Sequence, residues 1–438
     1  MTRFWAPRAW IGDAVANDVR VTASEGLIAS VETGATPDAA DHRLDGLALP
    51  GAINAHSHAF HRLLRGRTHG DGGSFWTWRE LMYREAGRLD PDSYERVATA
   101  VYAEMVAAGW TSVAEFHYVH HAPDASPYAP AHAMERALAR AARASGIRLT
   151  LLDTCYLSSG FGSPLEPAQR RFGDADAETW LTRLSALRGA FADEHPEVVV
   201  GAAVHSVRAV PVAALERIGA ELDPAIPLHV HLSEQPAENA ACIEATGLTP
   251  TGLLARSGLL SSRLSVVHAT HLTDDDIDAL GAARASIVMC PTTEADLGDG
   301  IGPARRLADA GARLALGTDQ HAVVDPLLEA RALEHGERLA SRRRGRFSPA
   351  ELVAALTRGG ASAVGRSLGE IAVGQPCDLL VVDETSARTA GSDPGQLVLS
   401  ATAHDVTRVI IGGRERAVGG THTDLGPIGD LLRKAMSA

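Results

Sequence analysis

The sequence predicts an α/β fold, a (β/α)8 TIM barrel with a small β-sandwich domain built from both chain termini. Three observations lead there. Eight short apolar, β-branched runs alternate with helix-patterned segments between residues 47 and 320. A chain of 438 residues with 45% hydrophobic side chains can bury a core of that size and still carry something smaller. Residues 9–31 and 368–424 instead read as short alternating strands with Gly, Asp and Ser turns, each piece too small to hold a core alone. A doubly wound open sheet is the competing arrangement, since alternation of strand and helix does not by itself close a barrel.

Taken in order, residues 1–46 supply the N-terminal part of the sandwich, 47–367 the barrel, and 368–438 the C-terminal part of the sandwich and a tail. The terminal pieces combine because chain ends often lie close together. The barrel strands are read at Leu47–Asn54, Thr111–His117, Arg148–Tyr156, Val198–Val207, Pro227–Ser233, Leu264–His271, Ile287–Thr292 and Arg313–Thr318. Between the first two, Asp90-Pro91 forms a cap and first-turn pair, Val97, Val101 and Met105 follow at helical spacing, and Gly109 stops the helix. Thr273 starts another, with Asp274–Asp276 favouring its N-terminal dipole. The terminal strands include Asp378–Asp383 and Val406–Ile411.

Composition excludes several functions. A net charge of −13 is the wrong sign for a protein that binds phosphate backbones or anionic membrane, so nucleic acid and membrane are not expected partners. The chain holds a single lysine, Lys434, near its C-terminus. No lysine is therefore placed for a Schiff base, a phosphate loop or a carbamate bridging two metals. Cys155, Cys242, Cys290 and Cys377 are far apart and suggest neither disulfides nor a cysteine zinc cluster. With no export signal and no apolar run of membrane-spanning length, a cytoplasmic protein is expected.

The chemistry gathers at strand ends. The first strand leads into His56-Ser-His58, whose alternate residues share a face and reach the C-terminal mouth where barrel active sites lie. The fifth ends His229-Val-His231-Leu-Ser-Glu234, the sixth at His268 and the eighth at Asp319. A lone histidine there is most simply a core residue and a lone aspartate a helix cap. Four strand ends presenting imidazole or carboxylate together instead predict an open metal site, with Zn2+ favoured and Fe2+ allowed over Mg2+ or Ca2+. Such a metal lowers the pKa of bound water to about 7, and Glu234 is placed to carry a proton. Without a bridging lysine the site is most simply mononuclear.

This pattern resembles the mononuclear deaminase branch of the amidohydrolase superfamily, over nearly the whole chain. Narrower strings, Phe75-Trp-Thr-Trp-Arg79-Glu-Leu-Met-Tyr-Arg, Thr111-Ser-Val-Ala-Glu-Phe-His-Tyr118-Val-His-His and His205-Ser-Val-Arg208, are similar to those of the formimidoylglutamate deiminases. Those enzymes hydrolyse N-formimidoyl-L-glutamate to N-formyl-L-glutamate and ammonia in histidine degradation. The resemblance implies that His56, His58, His231 and Asp319 hold zinc, that Glu234 carries protons, and that His268 polarises substrate or positions water. It also implies that Asp319 acts as a base and that the protein is a homodimer. Substrate contacts map onto Arg79, Tyr118, His205 and Arg208, and paired arginines suit a substrate bearing two carboxylates. One position departs from the pattern, where His61 stands in place of glutamine. The alternative is deamination of an aromatic base or nucleoside, a guanine or adenosine derivative, by the same metal residues.

Three further features carry less. His117, His120 and His121 are expected to face solvent or line a pocket rather than hold a second metal. Gly70–Gly73 reads as a loop near the mouth that would serve as a lid, and Ser341–Arg346 as a solvated helix end.

Overall fold

The computed structural model describes residues 1–68 and 75–437. The Gly70–Gly73 loop lies outside them. Eight parallel strands form the barrel: β1 (Ala52–Ser57), β2 (Trp110–His117), β3 (Arg148–Cys155), β4 (Val199–Ser206), β5 (Leu228–Leu232), β6 (Leu264–His268), β7 (Ser286–Met289) and β8 (Arg313–Leu316). They pair in sequence order from β1 to β8. The ring is nearly closed by a parallel bridge between Ser57 and Asp319 and by Thr318 and Asp319 N–H groups donating to the His56 carbonyl at 3.1 and 3.0 Å. Gly317 makes this approach feasible, because a Cβ there would sit 2.8 Å from that of His56.

Strands such as β2 and β5 are buried along their full length, as parallel strands covered on both faces must be. That is why they read as continuous apolar runs. The helix Pro91–Ala108 starts on a capping box in which Asp90 accepts from the Ser93 N–H, and ends at Gly109 with φ of 115°. Thr273 caps Asp274–Ala282 in the same way.

The termini build one mixed sheet of ten strands, with strands at Thr2–Ile11, Ala14–Ser24 and Leu27–Glu32 from one end and Leu379–Val382, Val406–Ile411 and Arg414–Val418 from the other. It has its own core, in which Phe4, Val21 and Ile28 join Leu379, Val381 and Ile410. The run read as one strand, Leu47–Asn54, is two. Leu47–Pro50 pairs with Leu379–Val382 in the terminal sheet, and only after Gly51 does the chain enter β1. An apolar run shows burial but not which sheet buries it. Arg148 on β3 joins the two units through Asp378 at 2.6 Å.

The four cysteines are free and buried. No helix among the described residues is long and apolar enough to cross a membrane.

Candidate metal centre and active site

At the mouth, β1 delivers His56 and the turn after it His58, β5 delivers His231, and the chain beyond β8 delivers Asp319. Their ligand atoms lie within 4.8 Å of one another and all four residues are buried. His231 Nε2 is 3.1 Å from His56 Nε2 and 3.3 Å from His58 Nε2, while Asp319 Oδ1 is 3.2 and 3.4 Å from the Nε2 atoms of His56 and His58.

The tautomers make this arrangement informative. His58 Nδ1 donates to the Phe116 carbonyl and His231 Nδ1 to the His205 carbonyl, both at 2.9 Å. A neutral imidazole that donates through Nδ1 keeps a lone pair on Nε2. Two lone pairs facing each other at 3.3 Å repel unless a cation lies between them. Burial lowers the pKa of His56, and those of His58 and His231 well below the ordinary value, so protons are not that cation. Three imidazole nitrogens and a carboxylate oxygen suit a divalent transition metal.

Backbone conformation brings these groups inward. Ser233, His268 and Asp319 have φ of 51°, 71° and 44°, the left-handed region that non-glycine residues rarely occupy. Such strain persists where surrounding structure enforces it, and two of these residues, His268 and Asp319, line the cavity.

Around the ligands, His268 Nε2 is 3.8 Å from Glu234 Oε1 and 4.0 Å from Asp319 Oδ2. Burial alone would lower the His268 pKa, but the Glu234, Glu294 and Asp319 carboxylates raise it to about 10. His56 and His268 hold the Asp319 carboxyl well below its ordinary value against the effect of burial. A cavity of about 100 Å3 opens over this group and is also lined by His61, Arg79, Tyr118, His205 and Arg208. All eleven residues singled out in the sequence are therefore either in the metal-ligand group or on the cavity wall.

Arg79 Nε donates to Tyr83 Oη at 2.9 Å, and Gln169 Nε2 donates to Tyr83 and Tyr156 at 2.8 and 3.0 Å. His61 Nε2 lies 2.9 Å from Tyr118 Oη, and burial lowers its pKa to about 4. The imidazole thus makes a hydrogen bond that an amide at this position could also make. His229, two residues before His231, donates to the Ala363 carbonyl at 2.8 Å and takes no part.

Several residues were not found from the sequence. Glu115 on β2 accepts from Ser57 Oγ at 2.8 Å and from the Ala59 N–H at 2.6 Å, gripping the chain on both sides of His58. Burial raises its pKa to about 7. Glu294 Oε1 lies 3.5 Å from His268 Nδ1 and accepts from the Cys290 N–H at 2.9 Å. A carboxylate inside an apolar strand run, as in Ser112-Val-Ala-Glu115-Phe, was the available signal.

His117 and His120 depart from expectation. Rather than facing solvent, both are buried against Glu135, at 3.2 and 2.9 Å. Glu135 lies in the first turn of the helix Ala133–Ser145, the next helix after β2. The basic run is as expected, with Arg342, Arg343 and Arg344 exposed beyond the helix Pro326–Ser341.

Residues 47–416 match the model of the amidohydrolase family. The chain is 37% identical to formimidoylglutamate deiminase of Pseudomonas aeruginosa, over 96% of each protein. Among solved structures, an amidohydrolase from Brucella melitensis superposes with a TM-score of 0.93 at 32% identity, covering 100% of this chain and 99% of its own. An adenosine deaminase from Xanthomonas campestris with bound zinc gives 0.85 at 25% identity, covering 100% and 97%. With a family match that runs from the last strand before the barrel into the terminal sheet, the chain belongs to the amidohydrolase family.

Proposed function

We propose that this protein hydrolyses N-formimidoyl-L-glutamate to N-formyl-L-glutamate and ammonia, with one zinc ion per subunit. The observation that carries the reading is that Arg79 and Arg208 line the same cavity as Glu234, His268 and Asp319. Two guanidiniums can clamp the two carboxylates of a glutamyl group, which an enzyme for a neutral purine does not need. The similarity to the Pseudomonas aeruginosa deiminase supports the same substrate. Zinc suits the donor set, and the Xanthomonas campestris relative holds that ion.

His56, His58, His231 and Asp319 would hold the ion, which when bound supplies a Lewis acid and an acidified water. Arg79 and Arg208 orient the glutamyl end, so that the formimidoyl carbon faces Glu234 and Asp319. Glu234 takes a proton from the attacking water as the new C–O bond forms and gives it to the imino nitrogen. His268, 3.8 Å from Glu234, holds the hydroxyl in place as a hydrogen-bond donor. Asp319 takes the remaining hydroxyl proton, the C–N bond breaks, and ammonia leaves with that proton as the formyl C=O forms. Tyr118, His205 and His61 complete the cavity wall. The same reading makes the protein cytoplasmic and a homodimer, and sedimentation of the purified enzyme tests the dimer.

Incubation with N-formimidoyl-L-glutamate is expected to release ammonia and N-formylglutamate in equal amounts, and absence of both would overturn the proposal. Replacing Arg208 by Met is expected to lower kcat/KM about 100-fold, the loss of about 3 kcal/mol for a charge-assisted clamp. A purine deaminase would keep its rate on guanine or adenosine through that substitution.

A further inference from the structure

Glu238 belongs neither to the ligand group nor to the cavity wall, yet it lies between two residues that line it, Glu234 and Arg208. It lies in the first turn of the helix Pro236–Thr246 and is buried. Its Oε2 accepts from the backbone N–H of Glu234 at 3.2 Å, and its Oε1 faces Arg208 Nε at 4.0 Å. Both Glu238 Oε1 and Arg208 Nε are buried without a hydrogen-bond partner. A buried carboxylate is strongly unfavourable unless paired, and Arg208 is the cation paired with it.

The geometry points to Glu238 as a positioning residue that holds the substrate-binding guanidinium of Arg208 and the backbone of the proton carrier Glu234 in one unit. This inference rests on the formimidoylglutamate reading. A carboxylate behind the Nε edge of an arginine leaves the two Nη groups to make a bidentate contact with a substrate carboxylate. Because the same carboxylate fixes the start of the helix after β5, the distance from clamped end to reacting end is set by one side chain. Reaching back from the third helical position to a preceding N–H is also how a glutamate stabilises a helix start. A purely structural role would therefore lower stability and leave substrate recognition alone, and the test must separate the two.

Glu238→Gln keeps an oxygen that can accept from the Glu234 N–H but removes the charge facing Arg208. It is expected to raise KM for N-formimidoyl-L-glutamate about tenfold, with a smaller fall in kcat. Glu238→Ala removes both contacts and is expected to lower kcat about thirtyfold as well. In an Arg208→Met background, Glu238→Gln should leave KM where Arg208→Met alone puts it, because the partner is already gone. Additive effects of Arg208→Met and Glu238→Gln overturn the assignment, as does an unchanged KM with a lowered melting temperature. A Glu238→Gln protein that fails to fold also overturns it, by making the residue structural. Wild-type enzyme inactive on N-formimidoyl-L-glutamate would instead remove the substrate reading on which the inference depends.

Discussion

His117, His120 and Glu135 gather ligand-type atoms within the same 4.8 Å span as His56, His58, His231 and Asp319, and both groups are buried. Their electrostatics differ. At the mouth, backbone carbonyls of Phe116 and His205 engage the Nδ1 atoms of His58 and His231, so the Nε2 lone pairs converge on one another. Behind β2, His120 Nε2 donates to the Thr154 carbonyl at 3.0 Å, and Arg183 supplies the positive charge. Its Nη1 is 3.6 Å from Glu135 and 2.6 Å from Asp153, and its Nε is 3.0 Å from Asp174. One cluster calls for an ion from solution, whereas the other is completed by the chain. Residue type, proximity and the tie from a ring nitrogen to a backbone carbonyl are shared, and the Arg183 guanidinium separates them.

The largest expected effect breaks the pair apart by metal content. Asp319→Ala should lose its bound ion on dialysis and drop kcat at least about 1000-fold, whereas His120→Ala should retain one ion per chain. Elemental analysis of both proteins is the check, and a second equivalent of metal lost with His120 would break the comparison. Next, Arg183→Met should destabilise the fold by about 3 to 5 kcal/mol, because it leaves Glu135, Asp153 and Asp174 buried without their cation. Urea unfolding measures this, with metal content unchanged.

A smaller effect depends on pH. Burial alone would raise the Glu135 carboxyl, but hydrogen bonds from His117 and His120 hold it well below its ordinary value of 4.5. A depressed acid contributes stability that is complete above its unfolded pKa and is lost as pH falls through the folded one. Melting temperature should therefore fall below pH 4.5, and the acid limb should be flatter in Glu135→Gln. Smallest of all, His61→Gln should change KM by no more than about threefold, since an amide can replace the hydrogen bond to Tyr118. Steady-state kinetics with N-formimidoyl-L-glutamate would show it.

Much of the mouth was legible in advance because strand periodicity and barrel polarity are local rules. His-x-His at the end of β1 and the histidines ending β5 and β6 needed only a period of two and a common direction. Glu115, Glu238 and Glu294 were not legible, since each acts on a residue brought near by another strand or helix. His117 and His120 misled for the same reason, because their buried partner Glu135 comes from the next helix, Ala133–Ser145.

The chain's order of residues, with the family resemblance it carries, was enough to predict an α/β barrel, to exclude lysine chemistry, and to name side chains that meet at its mouth. It could not assign ring tautomers, the terminal sheet's capture of Leu47–Pro50, or the pairing of Arg183 with a second histidine cluster. Side-chain direction along a strand follows from the covalent chain alone. Which charged group lies beside a buried carboxylate depends on neighbours that folding brings from dozens of residues away, and at Arg183 the two histidine clusters part.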